Sequence, residues 1–464
     1  MEDTPTIRKK TIGFLISFSL GAFLMEFIQG AYTAFGYFFY ETEIKLSITI
    51  VSVTFSLFSV WKAVMDPVLG FFLGKPSKKF QKWGQSFTWI LISIIPWFAS
   101  MIMFYFTPGW SPDSQEGLIF LWLLISMLGY GLFISLFGIN YFGLIPVRFR
   151  QDEERRAIQG YTGMLSFVGM LLGALIPTFI IEYGNPRSYA IMVLIITVIA
   201  FIPAIGMLPG IYERPEFRTR FHEPPSSQRE SFWTMVKFSV KHKNYRVLLL
   251  LSFTNQVIMS CIGGSLHYIV KYIYLENIDI SVFFYIGYFS GALIGSFVWV
   301  KIADKLQNTK LAYMISGLCM LITEIPMFFI KFFNYYIASI LLFPFAFCFS
   351  GFWSTLRVPL SSDVFDELSA DLGRRNDSTF IGIRSIFFQI ALVFQSLVFG
   401  LVHYLTNFDK DAISQSVDAQ NGIIFLFVGV PMILEILTFL IFWFRYDLIP
   451  GKVEKVQKKI ETLY

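Results

Sequence analysis

Trp61-Lys62-Ala63-Val64-Met65-Asp66-Pro67-Val68-Leu69-Gly70 sets an ammonium and a carboxylate four residues apart in an otherwise apolar run. At that spacing the two groups share one face of a helix. A charge at membrane depth costs roughly 2.5–3.5 kcal/mol on insertion scales, so two of them in one span need a reason. Composition makes the run a span: of 464 residues, 55% are hydrophobic and 15% charged, against about 25% charged in a soluble chain. The chain reads as an all-α membrane protein with the lipid bilayer as partner and no nucleic acid. The 54 phenylalanines read as lipid-facing bulk. Cys261, Cys319 and Cys348 lie in apolar segments without metal-ligand spacing and read as packing residues.

Apolar runs long enough to cross about 30 Å of hydrocarbon fall near residues 11–39, 47–73, 85–106, 117–146, 158–181 and 188–209. After a polar stretch come 245–271, 281–301, 310–330, 333–356, 380–405 and 422–445. The first run is longer than a signal-peptide core and is read as a span. Twelve spans fall in two sets of six, and the basic loops all lie on one side of that arrangement. Lys75, Lys78, Lys79 and Lys82 follow the second span, Arg148, Arg150, Arg155 and Arg156 the fourth, and Lys301, Lys305 and Lys310 the eighth. The alternate loops are poorer in base, as in 41–45 with Glu41, Glu43 and Lys45. Basic loops face the cytoplasm, so both termini are expected there and the protein in the cell membrane. The expected domains are an N-terminal six-helix bundle over 1–209, a cytoplasmic linker with an amphipathic helix over 210–244, a C-terminal six-helix bundle over 245–446 and a cytoplasmic tail over 447–464.

Polar residues inside spans are costly and mark pathways or pairs. Glu26, Gln29, Gly30, Thr33 and Tyr37 run along one face of the first span. Gln256, Ser260, Gly263 and His267 do the same in the seventh, its counterpart in the second half. Asn140 lies towards the inner end of the fourth span, Gln389 in the eleventh, and Glu324 and Glu435 stand alone in theirs. The candidate substrate-binding set is Glu26, Gln29, Thr33, Asn140, Gln256, His267 and Gln389. Gly70, Asp304 and Arg374 are candidates for gating turns on the cytoplasmic side. Gly287, Gly291 and Gly295, like Gly169 and Gly173, recur at four-residue spacing and read as close helix contacts. No Walker-type phosphate loop and no His-Glu-x-x-His occurs. An enzyme is therefore not expected, nor a cofactor or metal, and energy, where used, comes from a gradient.

Trp61-x-Ala63-x-x-Asp66-Pro67-x-x-Gly70 resembles the second-helix motif of the major facilitator superfamily, in its glycoside–pentoside–hexuronide:cation symporter (melibiose-permease-like) branch, to which the lysophospholipid symporters of vertebrates are distantly similar. Further matches are Pro146 with Asp152-Glu153-Glu154-Arg155-Arg156, Lys243-Asn244-Tyr245-Arg246, Asp363-x-x-Asp366 through Gly373-Arg374-Arg375, and Tyr446-Asp447-Leu448. The resemblance implies two six-helix pseudo-symmetric bundles, a monomer, and a small-molecule substrate moved by alternating access. It also implies a cation site built from the acids of the motif and of the fourth helix, and a sugar site with an acid in the first, where Glu26 stands. Lys62 occupies the first motif acid's position, Gly138 that of the helix-four acid, and Gln389 lies near that of a lysine. An ammonium beside the one remaining carboxylate repels sodium and pairs with Asp66 instead. The expectation is a sugar or glycoside transporter whose sodium site is replaced by a Lys62–Asp66 pair, coupled to protons or uncoupled. The alternatives are a transporter of lysolipids or other amphiphiles, and a receptor or scaffold that no longer transports.

Overall fold

The computed structural model describes residues 11–73, 84–149, 152–212, 232–352, 357–373 and 377–461. Arg374, the basic turn with Lys75 to Lys82, and most of the linker lie outside them. All regular structure in the described residues is helical, as lipid requires of a chain that must satisfy its backbone internally. The first six long helices are α1 (Ile12–Phe38), α2 (Ile48–Leu73), α3 (Gln85–Tyr105), α4 (Pro112–Arg148), α5 (Asp152–Thr178) and α6 (Pro186–Gly206). A short helix, α7 (Phe232–Lys241), precedes α8 (Lys243–Tyr268), α9 (Ser281–Leu306), α10 (Thr309–Met327), α11 (Tyr335–Ser350) and α12 (Arg357–Leu372). The chain continues through α13 (Asp377–Leu405), α14 (Val417–Ile424), α15 (Val430–Arg445) and α16 (Pro450–Glu461). Eleven of the described segments are long and apolar enough to cross a membrane, and Tyr335–Ser350 is a shorter apolar helix where the tenth span was expected.

The described residues fall into two compact units, within Met1–Gly36 plus Val64–Pro224 and within Tyr37–Ala63 plus Pro225–Tyr464. In the first, α3 packs along α4 and α6, and Trp97 is fully buried with its ring 5.3 Å from that of Phe137. Gly169 and Gly173 of α5 let its backbone meet that of α1: an added Cβ would strike the carbonyl oxygens of Phe23 and Phe27. In the second unit α8 packs on α13 and α15, and α9 on α11. There an added Cβ at Gly287 or Gly291 would strike the carbonyl oxygen of Ser339 or Phe343. Both glycine rows are therefore helix contacts, as their spacing implied. The phenylalanines divide between two roles: Phe179 and Phe297 are two-thirds exposed, whereas Phe18, Phe27, Phe35 and Phe104 are fully buried. Lipid-facing bulk accounts for only part of their number.

The amphipathic stretch before α8 forms α7, with Met235 and Ser239 buried and Lys237 and Lys241 exposed. The tail forms α16, which lies against α12.

The end of α1 departs from the expected loop. Phe39–Glu43 continues the helix as a π turn, which extends the apolar span to Glu43. The Ile44 N–H donates to the Phe39 carbonyl and the Leu46 N–H to that of Tyr40, both at 3.0 Å, and Lys45 between them takes φ 61°. The same device closes α8. A π turn spans Ile269–Ile273, the N–H groups of Tyr274 and Glu276 donate to the carbonyls of Ile269 and Val270, both at 3.1 Å, and Leu275 takes φ 54°. Matching backbone at corresponding helix ends is the mark of an internal repeat.

Candidate functional site

In the first unit the motif acid is already engaged. Ser135 of α4 donates its hydroxyl to Asp66 Oδ1 at 2.5 Å, while Lys62 sits one turn earlier on α2, and both charged residues are half-buried. A charge-assisted bond of this kind holds a carboxylate in one orientation. Gly138, at the position of the helix-four acid, turns towards α1, where an added Cβ would lie 3.5 Å from the Met25 methyl. That position offers no side-chain oxygen and no negative charge.

Glu26 is half-buried on α1, next to Met25, and close enough to Tyr130 of α4 to act on it electrostatically. Tyr130 stacks on Tyr32 of α1 with ring centroids 4.0 Å apart. Gln29 is half-buried, and Thr33 is exposed, its hydroxyl given to the Gln29 carbonyl at 2.8 Å. Asn140 is buried and spends its amide N–H on the Leu136 carbonyl of its own helix at 2.8 Å. Both rings are buried, so Glu26 is the half-buried polar group beside an enclosed aromatic pair.

In the second unit His267 of α8 is fully buried and its ring nitrogens meet Tyr285 Oη at 3.1 Å and Ser281 Oγ at 3.5 Å, both on α9. It serves to fasten α8 to α9. Gln256 is half-buried on the same helix. Gln389 of α13 has a buried carbonyl oxygen with no hydrogen-bond partner among the described residues. Gly70 and Asp304 are exposed near the ends of α2 and α9, and a Cβ added at Gly70 would meet nothing within 4 Å.

Two buried acidic sites stand apart from this set. Glu324 of α10 and Glu435 of α15 are fully buried, with no hydrogen-bond partner for any carboxylate oxygen among the described residues. Glu41, expected in a loop, is buried in the π turn. It accepts from Tyr268 Oη and lies 2.8 Å from His403 Nδ1, while neighbouring Glu43 pairs with Lys271 at 3.3 Å.

Eleven apolar helices long enough to cross a membrane among the described residues, with acidic side chains buried between them, define a multi-pass membrane protein. The chain belongs to the MFS/sugar transport protein family, whose profile matches residues 17–449. It is 23% identical over 224 residues to sodium-dependent lysophosphatidylcholine symporter 1 of Xenopus tropicalis, covering 41% of each chain. It is 20% identical over 423 residues to lactose permease of Lactobacillus helveticus, covering 88% of this chain and 64% of that one. A third relative, YagG of Escherichia coli K12, carries the name of a glycoside/cation symporter and is 20% identical over 96% of this chain and 94% of its own. The chain thus spans less than two thirds of the first two. Among solved structures, the inward-open xylose transporter XylE of E. coli shares the fold with a TM-score of 0.66 at 12% identity, over 95% of this chain and 98% of that one. The nucleoside transporter NupG shares it with a TM-score of 0.58 at 13% identity, over 92% and 99%. The protein is a multi-pass membrane protein of that family.

Proposed function

We propose that this protein moves a sugar or glycoside across the cell membrane by alternating access without using sodium. The reading rests on Asp66, whose carboxylate is bonded by Ser135 at 2.5 Å and has Lys62 one helical turn away. A sodium ion needs several oxygen ligands carrying net negative charge. Here an ammonium stands in place of one acid and a glycine, Gly138, in place of another. What remains is an internal pair that keeps the charge balance of an occupied site. Glu26 supplies the solute contact, since a half-buried carboxylate can accept from sugar hydroxyls. Solute binds in the monomer, with both termini on the cytoplasmic side. The bundle-linker-bundle-tail division over 1–209, 210–244, 245–446 and 447–464 is part of the same reading.

Uptake by the purified protein in vesicles tests it. Labelled glycosides are expected to enter at the same rate with sodium or with potassium at constant pH, and Lys62→Asp is expected to create sodium dependence. Sodium stimulation of the wild type would remove the reading. Glu26→Gln is expected to abolish binding in a ligand thermal-shift assay, and unchanged binding would remove Glu26 from the site. The relative named as a lysophosphatidylcholine symporter motivates a second arm with lysolipids in place of sugars. Accumulation of neither class would favour a receptor or scaffold.

A further inference from the structure

We propose that Glu41 and His403 form a proton-binding site in which one proton is held between carboxylate and imidazole. The proposal deepens the transport reading by naming residues that would carry a coupling proton, and it rests on that reading for the proton's use but not for its binding.

The two side chains are almost sealed, with 2% of Glu41 and 1% of His403 exposed. Glu41 Oε1 lies 2.8 Å from His403 Nδ1, and Oε2 accepts from the Tyr268 hydroxyl. Both carboxylate oxygens are therefore committed inside the protein. A carboxylate removed from water without an opposite charge costs several kcal/mol even after relaxation. Tyr268 supplies a hydrogen bond but no charge, so the group bonded to Glu41 that can supply one is His403. With one proton the pair is neutral overall, either as imidazolium and carboxylate or as imidazole and carboxylic acid. Without it, Glu41 is a buried anion held by two neutral donors, the Tyr268 hydroxyl and the imidazole N–H, with no opposite charge bonded to it. The ring is held in place: it stacks on Phe408 at 4.4 Å and meets Tyr268 edge-on at 5.1 Å, and its Nε2 is buried with no hydrogen-bond partner among the described residues.

The surrounding ionisable groups do not supply the missing charge. On the same turn, Glu43 is paired with Lys271 of the corresponding turn after α8 at 3.3 Å. Tyr37, at the end of α1, bonds Ser52 at 2.6 Å, and Tyr272 brings no positive charge. In the loop after α13, Asp411 is paired with Lys45, and Lys410 donates to the Lys45 carbonyl at 2.6 Å, both in exposed positions. The remaining acid there, Asp409, is negative. His267 faces Tyr285 and Ser281. Each of the bridges Glu43–Lys271 and Lys45–Asp411 is neutral as a pair, and His403 is the basic side chain bonded to Glu41. On release, the proton passes to water and leaves a neutral imidazole, whose Nδ1–H tautomer still donates to Glu41 beside the Tyr268 bond.

The sequence holds four histidines, few enough to follow by ring-nitrogen NMR on the full-length protein in micelles. Glutamate carboxyl signals are read by isotope-edited infrared spectroscopy, and His403→Gln and Glu41→Gln assign the two groups. At pH 7 the wild type is expected to show one proton on the pair, as a doubly protonated His403 ring or as a protonated Glu41 carboxyl. Glu41→Gln is expected to leave the His403 ring neutral at the same pH. A neutral ring beside an ionised Glu41 in the wild type would overturn the proposal, as would a protonated ring unaffected by Glu41→Gln. Should either variant fail to fold, Glu41→Asp and Glu41-labelled wild type carry the same readout. Vesicle uptake driven by a pH gradient separates the two readings. A protonated pair without such uptake leaves the site standing and removes proton coupling, whereas pH-driven uptake with an unprotonated pair does the reverse.

Discussion

Asn244 joins three stretches that the sequence offered only as separate resemblances. Its side-chain N–H donates to Glu367 of α12 and to Asp447 beyond α15, each at 2.8 Å, and its carbonyl accepts the Asp447 N–H at 3.1 Å. Lys452 of α16 completes the knot at 2.8 Å from Asp447 and 3.0 Å from Glu367. Burial pushes the Asp447 carboxyl up, but the bonds from Lys452 and Asn244 outweigh it and hold the group below its usual value. A depressed folded value means stability that is present above the unfolded value, about 3.9, and lost as pH falls through the folded one. The tail helix is therefore expected to stay docked at pH 5 and to come loose in stronger acid. A spin label near Glu461 would register this as increased mobility, and in Asp447→Asn the label should already be mobile at pH 7. A label immobile in both proteins at all pH values would count against the knot. Each of these residue types was legible as polar and near a helix end. Their meeting was not, since 203 positions separate Asn244 from Asp447 and periodicity carries no information across that distance. The same holds for Glu41 and His403, which are 362 positions apart.

Helix contacts were more legible than side-chain pairs, because glycine at every fourth position has one dominant use in a membrane helix. The prediction is a contrast between two glycines. Gly291→Val would drive a side chain into the backbone of Phe343, and overpacking of this kind costs about 1–3 kcal/mol. Gly70→Ala meets open space and removes a poor helix former, which is worth up to roughly 1 kcal/mol in its favour. Thermal unfolding in detergent should separate the two, and equal midpoints would show that the α9–α11 contact is looser than drawn. If Gly70 acts in gating, Gly70→Ala lowers uptake while leaving the midpoint unchanged or raised. The π turns, by contrast, were invisible in sequence. Phe39–Glu43 and Ile269–Ile273 share no evident motif, and their likeness is carried by backbone hydrogen bonds and a left-handed residue at Lys45 and Leu275.

For the whole molecule, hydropathy was enough to locate the spans, since lipid allows few other solutions: eleven of the twelve expected are long and apolar enough among the described residues, and a shorter apolar helix stands at the tenth. The motif from Trp61 to Gly70 was enough for the family. Composition alone could not say that Tyr37–Ala63 groups with the second unit, because that depends on contacts such as Tyr37 with Ser52 and Glu41 with His403. Nor could it assign the phenylalanines, whose hydrophobicity is satisfied equally by lipid and by the interior.

Lys62 has a further, electrical consequence. A sodium ion that travels with solute brings one charge across the membrane each cycle, and membrane voltage does about 2.3 kcal/mol of work on it per 100 mV. The ammonium of Lys62 is tethered: whatever displacement it makes on the outward stroke is undone on the return. On the proposed reading, voltage drives uptake only through whatever proton accompanies the solute. The reversal potential of transport currents in a planar bilayer should then follow the pH gradient, or be absent altogether, and stay fixed when sodium is varied on one side. A reversal potential that moves with sodium would mean that the site beside Asp66 still conducts the ion its lysine was placed to replace.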